Sequence, residues 1–156
     1  MGYTNYWKFK NINCQKQYDL AVAEIVDFVK WGVSEKYAVN IEDDETFIEI
    51  TGDPEDTVES FFLDKDLNQI NINELYWCKT GRNEYDGIVL ASMFILKKYL
   101  HGAIELSSDG FNHKSINSNY EEYCDFEIKE GYLLFKKFQA TLPNEFKSGG
   151  IIPLFK

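Results

Sequence analysis

Residues 3 to 10 alternate, with Tyr3, Asn5, Trp7 and Phe9 on one side and Thr4, Tyr6, Lys8 and Lys10 on the other, which predicts a strand with one aromatic face. The period then changes. From Gln15 to Trp31, apolar Tyr18, Val22, Ile25, Val26 and Val29 recur at helical spacing, and Gly32 marks the stop of a one-faced helix that needs cover. Three short runs follow, Tyr37 to Ile41, Thr46 to Thr51 and Val58 to Leu63, each with strand character. The turn formers between them, Glu42-Asp43-Asp44-Glu45 and Gly52-Asp53-Pro54-Glu55-Asp56, make an antiparallel meander the simplest arrangement. An Asn-rich polar connection from Asp64 to Glu74 leads to another strand ending at Trp77 and Cys78.

The next stretch is apolar almost all round. Ile88, Val89, Leu90, Ala91, Met93, Phe94, Ile95, Leu96, Tyr99 and Leu100 cover most of a helical circumference, so a helix over about 84–101 is buried on nearly all sides. Asn83 suits its N-cap with Asp86 three residues on, Lys97 and Lys98 suit its last turn, and Gly102 suits a left-handed stop. A short strand then runs into the Ser107-Ser108-Asp109-Gly110 turn. From Asn117 to Phe138, Tyr120, Tyr123, Cys124, Leu134, Phe135 and Phe138 share one helical side, and Gly131 breaks that helix into two pieces. The expected fold is α+β: one antiparallel sheet of about five or six strands, with three helices mainly on one face and the central helix deepest. Residues 1–140 make a single domain. The tail, 141–156, sets Ile151, Ile152, Leu154 and Phe155 among Pro143, Gly149, Gly150 and Pro153, an apolar strap that must cover this domain or a second copy of it, in a homodimer.

Length and charge sharpen this picture. A chain of 156 residues that is 44% apolar fits one domain with a real core. No apolar run approaches the roughly 20 residues needed to span a bilayer, and no leader pattern opens the chain, so the expectation is a cytoplasmic protein with no membrane contact. Cys14, Cys78 and Cys124 are odd in number and widely spaced, which reads as reduced thiols. The net charge of -10 is concentrated: between Glu42 and Asp66 stand 11 acids against Lys65 alone, while the rest of the chain is balanced. Such a field repels a phosphate backbone and favours a basic protein surface, so direct nucleic-acid binding is not expected. The expected contact residues are Glu42, Asp43, Asp44, Glu45, Asp53, Glu55, Asp56 and Glu59.

The start of the buried helix is the other place where chemistry collects. Unpaired backbone N–H groups and the positive end of the helix dipole lie there, with Lys79 and Arg82 just upstream, so a phosphate or carboxylate could be held. The competing reading has Glu84 and Asp86 neutralising that corner themselves. The usual catalytic and cofactor signals are missing. There is no Gly-Lys-Ser/Thr phosphate loop, no dinucleotide glycine fingerprint, no zinc-spaced Cys or His pair and no calcium-loop spacing, so no cofactor and no metal are implied. The two imidazoles, His101 and His113, are poorly placed for a triad.

Three motifs carry a family resemblance. The opening Met1-Gly2-Tyr3-Thr4-Asn5-Tyr6-Trp7, the Trp77-Cys78-Lys79-Thr80 run with Arg82 and Tyr85-Asp86, and the Ser107-Ser108-Asp109-Gly110 turn resemble an uncharacterised family of small bacteriophage and bacterial proteins. Gly52-Asp53 leading to Glu59-Ser60-Phe61 is similar too, and the resemblance runs from residue 1 to about 138. Asn5 departs from it, because the family usually has histidine there, so an imidazole base or ligand is lost at that position. The resemblance implies a phage-type accessory protein in a bacterial host and assigns no activity. Three expectations of different classes follow. The first is an inhibitor of a host factor, such as a nucleic-acid-handling defence enzyme, in the manner of an anti-CRISPR or other counter-defence protein, acting through the acidic segment. The second is a sequestering protein for a small anionic ligand or nucleotide held among Tyr3, Asn5, Tyr6, Lys79, Thr80, Arg82, Tyr85, Asp86, Ser107, Ser108 and Asp109. The third is an enzyme acting on a nucleotide or phosphate ester, with Asp86 or Asp109 as base and Arg82 stabilising negative charge.

Overall fold

The computed structural model describes residues 3–55, 57–109 and 126–143, and these form an α+β fold with three α-helices and six strands. In order they are β1 (Thr4–Phe9), α1 (Gln15–Ser34), β2 (Val39–Asp43), β3 (Phe47–Gly52), β4 (Phe61–Asp64), β5 (Leu75–Lys79), α2 (Asp86–Leu100), β6 (Ile104–Ser108) and α3 (Phe126–Gln139). The alternation read from residues 3 to 10 is real. Tyr3, Asn5, Trp7 and Phe9 are buried while Thr4, Tyr6, Lys8 and Lys10 are half exposed on the other face.

The single sheet expected from the sequence is divided in two. One antiparallel sheet has the order β5-β1-β6 and the other β2-β3-β4. The division lies between β5 and the residues entering β4. Lys79 accepts the Glu59 amide at 3.0 Å, one rung of a ladder, but its own N–H goes to the Glu59 carboxylate at 2.7 Å. A side chain stands where the next strand carbonyl would be, so pairing stops after that rung.

α1 packs on β2 and β3, α2 packs on β6 and on α1, and α3 packs on α2. α2 is the deepest: every residue from Asp86 to Lys97 is buried, as its nearly all-round apolar pattern requires. Its first turn carries Asp86 and its last turn Lys97 and Lys98, each sign facing the favourable end of the helix dipole. The caps differ from expectation. Tyr85 rather than Asn83 is the N-cap, with no side-chain capping bond, and the C-cap is His101, with φ of +48° and ψ of -120°, rather than a left-handed Gly102.

Two glycines expected to end or break helices instead let helices touch. Gly32 is buried inside α1, where an added Cβ would come within 3.3 Å of Ile88 on α2. Gly131 sits mid-α3, where a Cβ would fall 2.7 Å from the Cβ of Leu90. A small residue at a crossing trades helix propensity for close approach. A buried polar group ties the three helices together at the other end of α2: Glu24 of α1 takes Lys98 at 2.6 Å, the Tyr99 hydroxyl at 2.7 Å and Gln139 of α3 at 3.0 Å. Residues 117–125 of the expected third helix, and the tail from 144 with its proposed docking, lie outside the described residues.

Candidate functional site

The corner at the start of α2 is built by β1, β5 and β6 delivering one inward residue each. The registers Asn5 to Cys78 and Asn5 to Ser108 put the ends of the three strands side by side, and the chain leaving β5 turns directly into α2. That turn has positive φ at Gly81 and Arg82 (+65° and +64°) and closes with the Asn83 amide on the Thr80 carbonyl at 3.2 Å. Two successive left-handed residues are what a type I′ turn demands, and Gly81 supplies the first without cost.

The result is a closed hydrogen-bonded cluster. The Asn5 amide donates to the Asp86 carboxylate at 2.7 Å, the Thr80 hydroxyl donates to the same oxygen at 2.5 Å, and the Ser108 hydroxyl donates to the Asn5 carbonyl at 2.7 Å. All four residues are buried. Asp86 therefore fills, from within the chain, the anion position that the helix start offers. An incoming phosphate would meet that carboxylate.

The other residues expected at this corner divide among different tasks. Arg82 lies over the Tyr3 ring, 4.5 Å from its centroid. Asp109 bonds the Thr4 amide at 3.0 Å and, with its own amide on the Thr4 carbonyl, continues the β1–β6 ladder by one step. Tyr85 points toward the second sheet: its ring lies against Gly52, and its hydroxyl donates to the Glu59 carbonyl at 2.8 Å and accepts the Val58 amide at 3.2 Å. Burial pushes the Tyr85 phenol up from its ordinary value. Tyr6, Lys79 and Ser107 do not join the cluster, because strand alternation turns them to the outer face. Cys78 is buried beside it, and burial, with Glu59 and Asp86 adding, pushes its thiol up to about 12.

The acidic segment has a different fate. Part of it is used by the fold: Asp44 accepts the Thr46 amide, Asp53 the Glu55 amide and Glu59 the Lys79 amide. Glu42 lies exposed on the outer face of β2, Glu55 is exposed in the turn after β3, and Asp56 is outside the described residues. Asp43 and Glu45 line grooves between α1 and the end of the β2–β3 hairpin. One, of about 710 Å³, is walled by Asp19, Glu45, Asp64, Lys65 and Asp66. The other, of about 410 Å³, shares Asp19 and Lys65 with it and adds Asp27, Lys30 and Asp43 around an apolar floor of Val22, Ala23 and Val26. Asp43 holds Lys65 at 2.5 Å. The carboxylates outnumber the cations and are spread along the groove. Among the described residues no group of three or more His, Cys, Asp or Glu is arranged to hold a metal ion.

Comparison with protein families, characterised proteins and solved structures finds no match. The functional reading therefore rests on geometry. Asp19 and Asp27 were absent from the sequence-based site, although their spacing at i and i+8 on α1 places both on one helical stripe with Ala23. Among the described residues, no helix is long and apolar enough to cross a membrane.

Proposed function

We propose that this chain is a binding protein of phage type that occupies a basic surface of a host factor with the acidic groove between α1 and the β2–β3 hairpin. The observation that carries the reading is a pair of adjoining grooves that share Asp19 and Lys65: one adds Glu45, Asp64 and Asp66, and the other adds Asp27, Asp43 and Lys30 over the apolar floor of Val22, Ala23 and Val26. Acidic walls over Val22 and Val26 suit a segment with lysine or arginine at its rim and apolar side chains toward the floor. Charge steers and selects such a partner, and the apolar floor adds affinity that salt does not screen. A nucleic-acid-handling defence enzyme is the class of host factor that fits, because its working surface is basic and the groove presents anions in the place of phosphates.

The corner at the start of α2 gives the anionic-ligand reading no comparable support, since Asp86 places a buried carboxylate at the helix start, already bonded to Asn5 and Thr80. The proposal is tested by capture from a bacterial lysate on the immobilised chain. A host protein retained at low salt, weakened at high salt and lost from the triple variant Asp19→Asn/Asp27→Asn/Glu45→Gln is expected. A partner held equally by that variant would show that the groove is not the contact.

A further inference from the structure

The two sheets present faces of opposite charge on the side away from the helices. On β5-β1-β6 the outward row contains Tyr6, Lys8, Trp77 and Lys79, with Tyr6 directly opposite Trp77 and Lys8 opposite Leu75. Trp77 is 58% exposed and Leu75 44%, high values for side chains of this size on a regular strand. Glu105 stands opposite Lys8 on β6 and pairs with Lys10 at 3.4 Å, so the row sets Lys8, Lys10 and Lys79 against this one strand carboxylate and is net positive.

The outward row of β2-β3-β4 is its complement. Glu42 stands opposite Glu49, Glu49 opposite Phe62, and Phe62 stacks on Phe47 at 5.1 Å between centroids. Two carboxylates directly opposed on neighbouring strands repel, and the pair is relieved when a cation covers it. No ion pair engages Lys8, Lys79, Glu42 or Glu49 among the described residues.

We propose that a second copy of this chain covers this side, with the Trp77 and Lys79 half of each molecule set on the Glu49 and Phe62 half of the other. The argument is charge complementarity joined to exposed aromatic surface, both present on one molecule. The halves adjoin at the Glu59 to Lys79 link, so a two-fold axis lying in the interface along that seam brings unlike halves together twice. Rings supply the area and the opposed charges set the register. The groove beside α1 takes no part in this contact, so dimerisation and partner capture stand or fall separately.

Sedimentation at low and high salt tests it. The wild-type chain is expected to double its mass with concentration at low salt and to weaken at high salt. Lys8→Glu/Lys79→Glu and Glu42→Lys/Glu49→Lys are each expected to be monomeric, because like charges then meet in both halves, and an equimolar mixture of the two is expected to form the dimer again. Trp77→Ser, a change at an exposed position, gives a variant without altered charge and should weaken association about tenfold or more. A wild-type chain monomeric throughout, a mixture that stays monomeric, or a face that takes up a single-stranded oligonucleotide instead would overturn the proposal.

Discussion

The start of α2 and the groove beside α1 are both rich in carboxyl, hydroxyl and amide groups, and they differ in where those groups point. Asp86, Asn5, Thr80 and Ser108 bond to each other out of water. Asp19, Asp27 and Glu45 are exposed on the walls of a concavity. The first arrangement fixes the ends of three strands against a buried helix. In the second, Asp43 is paired with Lys65, while Asp19, Asp27 and Glu45 make no ion pair among the described residues. Polarity in a motif is thus a poor guide to a binding site until burial and pairing are known.

The largest test of this contrast is at the closed corner. Asp86→Ala removes the acceptor shared by Asn5 and Thr80 and leaves both donors buried, which should cost about 3–5 kcal/mol in urea unfolding. Asp86→Asn keeps one acceptor oxygen and should cost less. A loss below about 1 kcal/mol for the alanine variant would mean that the corner is not holding the strands.

Thiol chemistry sharpens the same contrast. Cys14 is exposed and Cys78 buried, with the Cys78 thiol pushed from 9.0 to about 12. Alkylation of the folded chain near pH 8 should modify Cys14 and spare Cys78. A raised acid pKa means that the folded state holds the proton more tightly. Its contribution to stability is therefore complete below pH 9.0 and is lost as the pH climbs toward 12. Burial raises Tyr18 and Tyr99 in the same direction and lowers Lys97, which opposes them. Unfolding midpoints across that alkaline range should fall, and Cys78→Ala should flatten the fall.

Much of the fold was legible in the sequence because it depends on local period. The alternation of β1, the one-sided α1 and the all-round apolar α2 are each a direct readout of which faces are buried. The misreadings share a cause, which is that a residue's role was set by something distant in the chain. Gly32 and Gly131 looked like stops because a glycine needed for a turn and a glycine needed for a helix crossing are the same letter. The break between the sheets depends on Glu59 reaching Lys79 from 20 positions away, a reach that no local pattern encodes. Asn5, Thr80, Asp86 and Ser108, expected from the sequence as ligand contacts, lie together at the corner. That they would hydrogen-bond to one another follows only from packing. The groove was half visible: the hairpin acids stood out as a charge run, whereas Asp19 and Asp27 passed for the solvent side of an amphipathic helix.

The smallest expected effect, on stability, accompanies the decisive one, on binding. Asp19→Asn/Asp27→Asn/Glu45→Gln alters exposed positions and should shift unfolding by no more than about 0.5 kcal/mol. The most direct measurement is the affinity of a lysine-rich amphipathic peptide for that variant and for Glu35→Gln/Glu74→Gln/Glu84→Gln, which has the same net charge and is changed at exposed sites away from the groove. The account predicts a loss of about tenfold or more for the groove variant and close to wild-type affinity for the other. Equal losses in the two would show that the peptide reads overall charge, and would contradict a groove built to bind.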